Sequence, residues 1–379
     1  MIRNFILFGL SVILLTLGCS SGKNTLDKGN YYQAVLKSVN RLRKNPDHKK
    51  SKQTLHRGYP LAQEYYEDLA NRAKTSNNQF KWEQAIEQYQ LLNNLNNEIQ
   101  RCPACKNLAK SARSYDGEIN DASLKAAEVR FALGEQGMAT QSRLGAKDAF
   151  FHFQRVRELR PSFRDVNQKI MEAREMATLR VMVERIPIHS QALQLSNQFF
   201  QDKINEYLLR GRISEFVRFY SPGEAQNAGI QQLDHTVLLT FDDFVVGQHY
   251  VKETVETVTR DSVAVKKKGR GEEFTQYITV SAEYRHWIKR VESSGLLDLQ
   301  VIDNRTRRVL TRDKLPGTFL WTCEWGSFNG DERAMSQAQL NICKARELLP
   351  PPPQDLFIEF TKPIYDQVTG TLTNFYRNY

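Results

Sequence analysis

No stretch of this 379-residue chain holds the roughly 18 to 20 consecutive apolar residues of a membrane-spanning helix. The common catalytic signatures are missing too: no P-loop, no G-x-S-x-G, no H-E-x-x-H and no dinucleotide fingerprint. That removes the motif-bearing nucleotide-binding, serine-hydrolase and zinc-peptidase classes. Cysteine is scarce, at five residues. The C-x-x-C at Cys102 and Cys105 has no second C-x-x-C to complete a zinc knuckle. No motif calls for a cofactor or a metal, and the expectation is that the chain is not an enzyme.

What is present is an ordinary globular composition, 40% hydrophobic and 25% charged, able to bury the cores of two or three domains of about 100–200 residues each. The formal net charge is +10. Such a balance suits acidic partners, anionic headgroups or a solvated basic surface.

The N-terminus fixes the compartment. Arg3 precedes an apolar run from Phe5 to Leu17, which is too short to span a bilayer and has the form of a secretory signal. The A-x-A of an ordinary signal is absent. Thr16-Leu17-Gly18-Cys19 instead resembles a bacterial lipobox, although Thr16 and Leu17 depart from its usual residues. The resemblance implies a signal peptide over 1–18, lipidation at Cys19 and a flexible tether over 19–28. Several acyl chains, at about 0.8 kcal/mol per buried CH₂, hold such a protein on a membrane without a spanning helix. The first charge after the cysteine is Lys23, which favours a periplasm-facing anchor on the outer membrane. An exported chain meets no nucleic acid, so none is expected as partner.

Residues 29–175 read as helical. "NYYQAVLKSVNRLRKNP", "FKWEQAIEQYQLLNNLN" and "AKDAFFHFQRVRELRPSF" each place small, aromatic and aliphatic residues at i, i+4 and i+7, and Pro46 and Pro161 end the first and third. These segments, with Ala34, Ala85 and Ala149, resemble the second helix of a tetratricopeptide repeat. The alanines lie further apart than that repeat's period of about 34 residues, so the units are degenerate. Stacked helix pairs of this kind present surfaces to partner proteins, here expected to be envelope proteins; a plain bundle acting as a spacer is the competing reading. "RCPAC" sits among helices with no preceding strand, which argues against redox catalysis and for a local disulfide or a thiol pair. In the oxidising periplasm four cysteines allow three connectivities. Local pairing, Cys102 with Cys105 and Cys323 with Cys343, is the expectation.

The period changes after residue 175. "ATLRVMVERIPI", "SEFVRFYS" and "HTVLLTFDDFVVG" alternate as strands, separated by helices at "SQALQLSNQFFQDKINEYLLRG" and "PGEAQNAG". Long hairpins follow, with turns expected at 268–271, at Ser293-Ser294-Gly295 and at Asp303-Asn304. "TFLWTCEW" is a further strand and "SQAQLNICKARELL" a helix. Pro350 to Pro353 read as a stiff spacer. A docked terminal helix is expected from about Pro363, with Ile364, Val368, Leu372 and Phe375 on one face. The expected class is α+β and multidomain: a TPR-like helical domain, a mixed α/β domain with long antiparallel hairpins over 176–349, and the spacer and terminal helix over 350–379.

Within "LDLQVIDNRTRRVL", Asp303, Thr306, Val309 and Leu310 match the D-x-x-T-G-x-V-L strand end of the curli-secretion-channel lipoprotein family, with Arg307 in place of the glycine. The stretch from 177 to 312 resembles the periplasmic domain of that family. The resemblance implies an assembly domain and no enzyme. The pore is not carried over, because Arg285, His286, Lys289 and Arg290 interrupt any apolar outer face of the 248–292 hairpin.

Three groups of residues stand out as candidate sites. Trp321, Trp325 and Phe328, beside Asp331 and Glu332, form the densest aromatic stretch and are candidate partner-binding residues; sheet core is the alternative. Asp242 and Asp243 with His235 and His249 could ligate a metal only if a bulge turned both carboxylates to one side, so no metal is expected. The basic loop "KKKGRG" reads as a solvated hairpin tip. The functional expectation is a membrane-anchored, non-enzymatic scaffold or assembly factor of an envelope complex. The competing expectation is a lipoprotein that binds a cell-wall glycan or peptide.

Overall fold

The chain is α+β, with helices N-terminal and a five-stranded mixed sheet with a terminal helix C-terminal. The computed structural model describes residues 22–211, 213–269 and 272–379, and the side chains of 268, 269 and 272 are likewise left undescribed. Two compact units divide between Ala177 and Thr178.

The helical unit runs α1 (Lys23–Asp27), α2 (Tyr31–Lys44), α3 (Lys49–Thr75), α4 (Lys81–Gln100), α5 (Pro103–Lys106), α6 (Asp116–Ala139), α7 (Arg143–Leu159) and α8 (Val166–Ala177). From α2 onward each long helix packs chiefly on the next in sequence. Ala34, Ala85 and Ala149 are fully buried, and small residues there let neighbouring helices approach. Gly134 does the same in α6: a Cβ would run into the ring of Phe153. α2 and α7 stop at the residues before Pro46 and Pro161, where Asn45 and Arg160 are extended. Burial pushes the carboxyl of Glu83 up, but two guanidiniums outweigh it and hold the group below its ordinary value. Arg130 Nε and Arg155 Nε donate to it at 2.6 and 2.7 Å, tying α4 to α6 and α7. Part of the segment expected as a tether is ordered. Lys23–Asp27 is helical, and Lys37 Nζ donates to Thr25 Oγ1 at 3.2 Å.

The sheet unit runs β1 (Leu179–Val183), a 3₁₀ turn (Gln191–Leu193), α9 (Gln194–Arg210), β2 (Val217–Tyr220), α10 (Pro222–Asn227), β3 (His235–Gly269), β4 (Glu272–Asp303), β5 (Val309–Gly330), a 3₁₀ turn (Glu332–Ala334), α11 (Gln337–Lys344) and α12 (Pro353–Tyr376). The sheet order is β2-β1-β3-β4-β5. β1 is parallel to β2 and β3, while β3, β4 and β5 are antiparallel. One face buries Leu179, Val181, Val237, Leu239, Leu297, Leu299 and Val301 against Phe200, Ile204 and Leu208 of α9 and Phe357, Phe360, Ile364, Val368 and Leu372 of α12.

Three sequence expectations are corrected here. Ser293-Ser294-Gly295 is not a turn, because β4 runs through it without a break. Gly295 is needed for space: a Cβ there would come within 2.7 Å of the Phe360 ring. The terminal helix starts ten residues early, at Pro353, since proline is well tolerated at a first helical position. It continues through Pro363 because burial of Phe357 and Phe360 on one side and Ile364 and Val368 on the other outweighs the lost hydrogen bond. Finally, Tyr376, not Phe375, is the fully buried residue of the last turn. The 303–308 turn does form. Asp303 Oδ1 accepts from Thr306 N at 2.8 Å, and Arg307, standing where the resembling family has glycine, takes a left-handed φ of 60°.

Gly295→Ala is expected to cost about 1–3 kcal/mol by overpacking, and Phe360→Ala about 3–5 kcal/mol. In the Phe360→Ala background the glycine change should cost markedly less. A double-mutant cycle from denaturant unfolding measures this coupling.

Candidate interaction surface

β3 is 35 residues long, about 110 Å at roughly 3.3 Å per residue. It pairs with β1 only over His235–Val237 and with β4 along nearly its whole length. β5 covers β4 from Ile302 to Ala282. Beyond Ala282 the ribbon is two strands, and from Leu238 onward the outer edge of β3 has no strand partner among the described residues. Near the tip, Val258, Val263, Ile278, Val280, Ala282 and Tyr284 pack under Ala334, Met335, Leu340 and Ile342. A capping box formed by Ser336 and Gln339 fixes the start of α11.

The rest of the ribbon mixes apolar and charged groups. Tyr250, Val251, Val255, Tyr277 and Leu320 are all about half exposed or more. Arg285 pairs with Glu283 at 2.9 Å, His286 with Glu324 at 3.2 Å and Lys289 with Glu347 at 2.7 Å. Alternation places Arg285 and Lys289 on one face and His286 on the other, so polar pairs stand on both faces of this stretch.

Alternation also divides the candidate aromatic stretch. Trp321 and Trp325 share a face, where Trp321 lies opposite Val291 and Trp325 stacks on Trp287 with ring centres 6.1 Å apart. Phe328 belongs to the other face and joins the cluster under α11. All three are half-buried. Trp287 was missed in the sequence because cross-strand register, not spacing, makes it a neighbour of Trp325. Asp331 caps the following turn, accepting from Arg333 N at 3.0 Å.

Cys102 and Cys105 are bonded to each other, buried at the start of α5. The expected Cys323–Cys343 bridge does not form, and both thiols are free. Cys323 lies opposite Lys289, and its sulfur accepts from Leu348 N at 3.3 Å. Cys343 packs with Tyr284, on the opposite face. The sheet itself therefore separates the two sulfurs. The chain leaving α11 must wrap the β5 edge to pass from Ile342, beside Gly326, to Arg346, whose carbonyl meets Cys323. Burial pushes the Cys343 thiol up. Cys19 lies outside the described residues, as does the centre of the basic loop at 270 and 271.

The acidic pair is split by a bulge. Phe241 pairs with Leu297 and Asp243 with Leu296, leaving Asp242 unmatched. The bulge turns both Phe241 and Phe244 towards Phe357 and Phe360. Asp242 pairs instead with Lys314, which also lies 3.6 Å from Asp298. Arg312 grips Asp298 through both oxygens, at 3.0 and 2.9 Å, and Gln300 donates to it at 2.6 Å. The Arg312 hydrogen bonds, working against burial, hold this carboxyl at about 2. His235 is buried against Tyr376 and His249 stands opposite Val291. Among the described residues no group of three or more His, Cys, Asp or Glu side chains could hold a metal ion, and no helix is long and apolar enough to cross a membrane.

Two outcomes follow from these contacts. The folded Asp298 carboxyl lies below its ordinary 3.8, so its contribution is complete above about pH 4 and is lost as pH falls through about 2. Asp298→Asn should therefore be less stable than the parent at neutral pH, with the gap closing between about pH 4 and pH 2 in denaturant titrations. In thiol alkylation of the native oxidised chain carrying Cys19→Ser, Cys343 should react only at pH above that of an ordinary thiol. Cys323 should react only on unfolding, and Cys102 and Cys105 only after reduction; mass mapping of the labelled peptides reads this. No family model matches the chain, and no curated protein matches it.

Proposed function

We propose that this chain is a membrane-anchored, periplasm-facing lipoprotein, tethered through Cys19, that acts as a non-enzymatic scaffold or assembly factor in an envelope protein complex. The observation that carries the reading is the ribbon. β3 and β4 continue far beyond the part of the sheet that α9 and α12 cover, and they carry exposed Tyr250, Val251, Val255 and Tyr277 alongside charged residues. A projection of this kind encloses nothing and adds little core. Its area serves contact with other chains, and aromatic groups on it supply anchors. The unpaired β3 edge offers backbone donors and acceptors to an added strand.

The helical unit supports the same role. We read it as a degenerate TPR-like stack: its long helices pack in sequence order, its key alanines are buried, and Leu144, Phe151 and Met171 remain exposed on α7 and α8. Nearest-neighbour stacks of this kind present extended partner-binding surfaces. The lipobox-like Gly18-Cys19 supports membrane attachment, and the outer membrane is the proposed site.

In-cell crosslinking followed by affinity purification through a C-terminal tag should recover a defined set of envelope proteins, and Cys19→Ala should release the chain from the membrane fraction and diminish that set. Recovery of the free monomer alone from cells in which the protein is membrane-bound would sink the scaffold reading.

A further inference from the structure

The sheet unit holds a cavity of about 340 Å³ at the carboxyl ends of β1 and β2. Open α/β sheets bind ligands at this end, where the loops leaving parallel strands diverge. Its volume is at the small end of the range for ligand pockets, about 300–1,000 Å³. One wall is the polar side of α9, where Asn197, Gln198, Gln201, Asp202 and Asn205 recur at helical spacing. The opposite side of the same helix buries Phe200, Ile204 and Leu208 in the core. The wall is therefore fixed by packing.

The hydrogen bonds along this wall are ordered. Asn197 Nδ2 donates to the Ile186 carbonyl at 3.0 Å, and Gln201 Oε1 accepts from Ile186 N at 2.8 Å, so two carboxamides clamp the loop leaving β1. Gln201 Nε2 donates to Asn205 Oδ1 at 3.2 Å, and Gln198 Nε2 donates to Asp202 Oδ1 at 2.7 Å. Asn197 is only 7% exposed, yet its Oδ1 has no hydrogen-bond partner. Leaving a buried acceptor unpaired costs about 1–3 kcal/mol, a cost carried here to hold the loop after β1 in place. The clamp fixes both this carboxamide and the loop leaving β1, so the wall keeps one shape.

The lining carries one guanidinium, Arg185, and one carboxylate, Asp202, and is otherwise carboxamide, hydroxyl and backbone with a small apolar share. Such a lining has no net charge and alternates donors with acceptors. We propose that this cavity binds an uncharged, hydroxyl-rich ligand, a mono- or disaccharide unit of a glycan. Hydroxyl groups donate and accept at once, which matches a wall of carboxamides better than a phosphate or a carboxylate does. Among the described residues no aromatic ring lines the cavity to stack on a sugar face, so the affinity rests on hydrogen bonds. This site is separate from the ribbon and stands or falls independently of the scaffold role.

Titration of the full chain, followed by calorimetry and by NMR of side-chain amides, would use N,N′-diacetylchitobiose, maltose and dialanine as probes. Saturable binding of a saccharide is expected, with shifts at the Asn197 and Gln201 amides. Asp202→Ala, on the exposed rim, should weaken binding about tenfold with the fold intact. Asn197→Leu, which removes the donor that clamps the loop after β1, should abolish it. Binding of dialanine alone would overturn the proposal in favour of a zwitterion held between Arg185 and Asp202. No saturable binding by any probe, or saccharide binding unaltered in Asp202→Ala and Asn197→Leu, would also overturn it.

Discussion

Phe360 stands where three strands and the terminal helix meet. Its ring fills the space that Gly295 leaves in β4, its carbonyl lies over Gly317 of β5, and Phe241 and Phe244 of β3 close on it from the side. Each of these contacts demands something of a distant residue. Two strands must carry glycine, and the third must bulge at Asp242 so that two phenylalanines three apart can face the same way. The same bulge turns Asp242 towards Lys314, so one irregularity serves the apolar core and the ion network with Asp298 together. The junction sets how far along the strands the core extends, and the ribbon is what continues past it.

That division explains why the sheet unit can combine a rigid base with a projecting surface. The base is buried by α9 and α12. The ribbon draws its stability from hydrogen bonding along β3 and β4 and from one small apolar cluster under α11. Several of its charged residues are paired, within β4, across to β5 or to the wrapping chain. Such exposed pairs contribute little each, about 0–1 kcal/mol, so the ribbon's rigidity rests mainly on its backbone ladder.

Local pattern was legible in the sequence wherever one segment decides its own state. The alternation of 179–183, the apolar face of α9, and the helix stops before Pro46 and Pro161 all follow from neighbouring residues. What failed to show was decided across the sheet. Ser293-Ser294-Gly295 has the composition of a turn, and only Phe360, far along the chain, makes it strand. Cys323 and Cys343 are close in sequence, yet alternation sends them to opposite faces. Trp325 and Trp287 meet through register alone. The cavity of α9 was invisible for the same reason: its carboxamides read as an ordinary polar helix face until the loops after β1 and β2 are set against them.

The terminal helix has a consequence in time. The helical unit is built from contacts between consecutive helices, so each part can close soon after it emerges from the ribosome. The sheet unit cannot do this. β1 waits for β3, and the shared core waits for Phe357 through Tyr376, made after every strand they cover. Until then Leu297, Leu299 and Val301 stand uncovered beside a long unpaired strand edge. The order of synthesis therefore leaves a window in which the rear half is adhesive and the front half is already folded, and passage through that window is the step most exposed to misassembly.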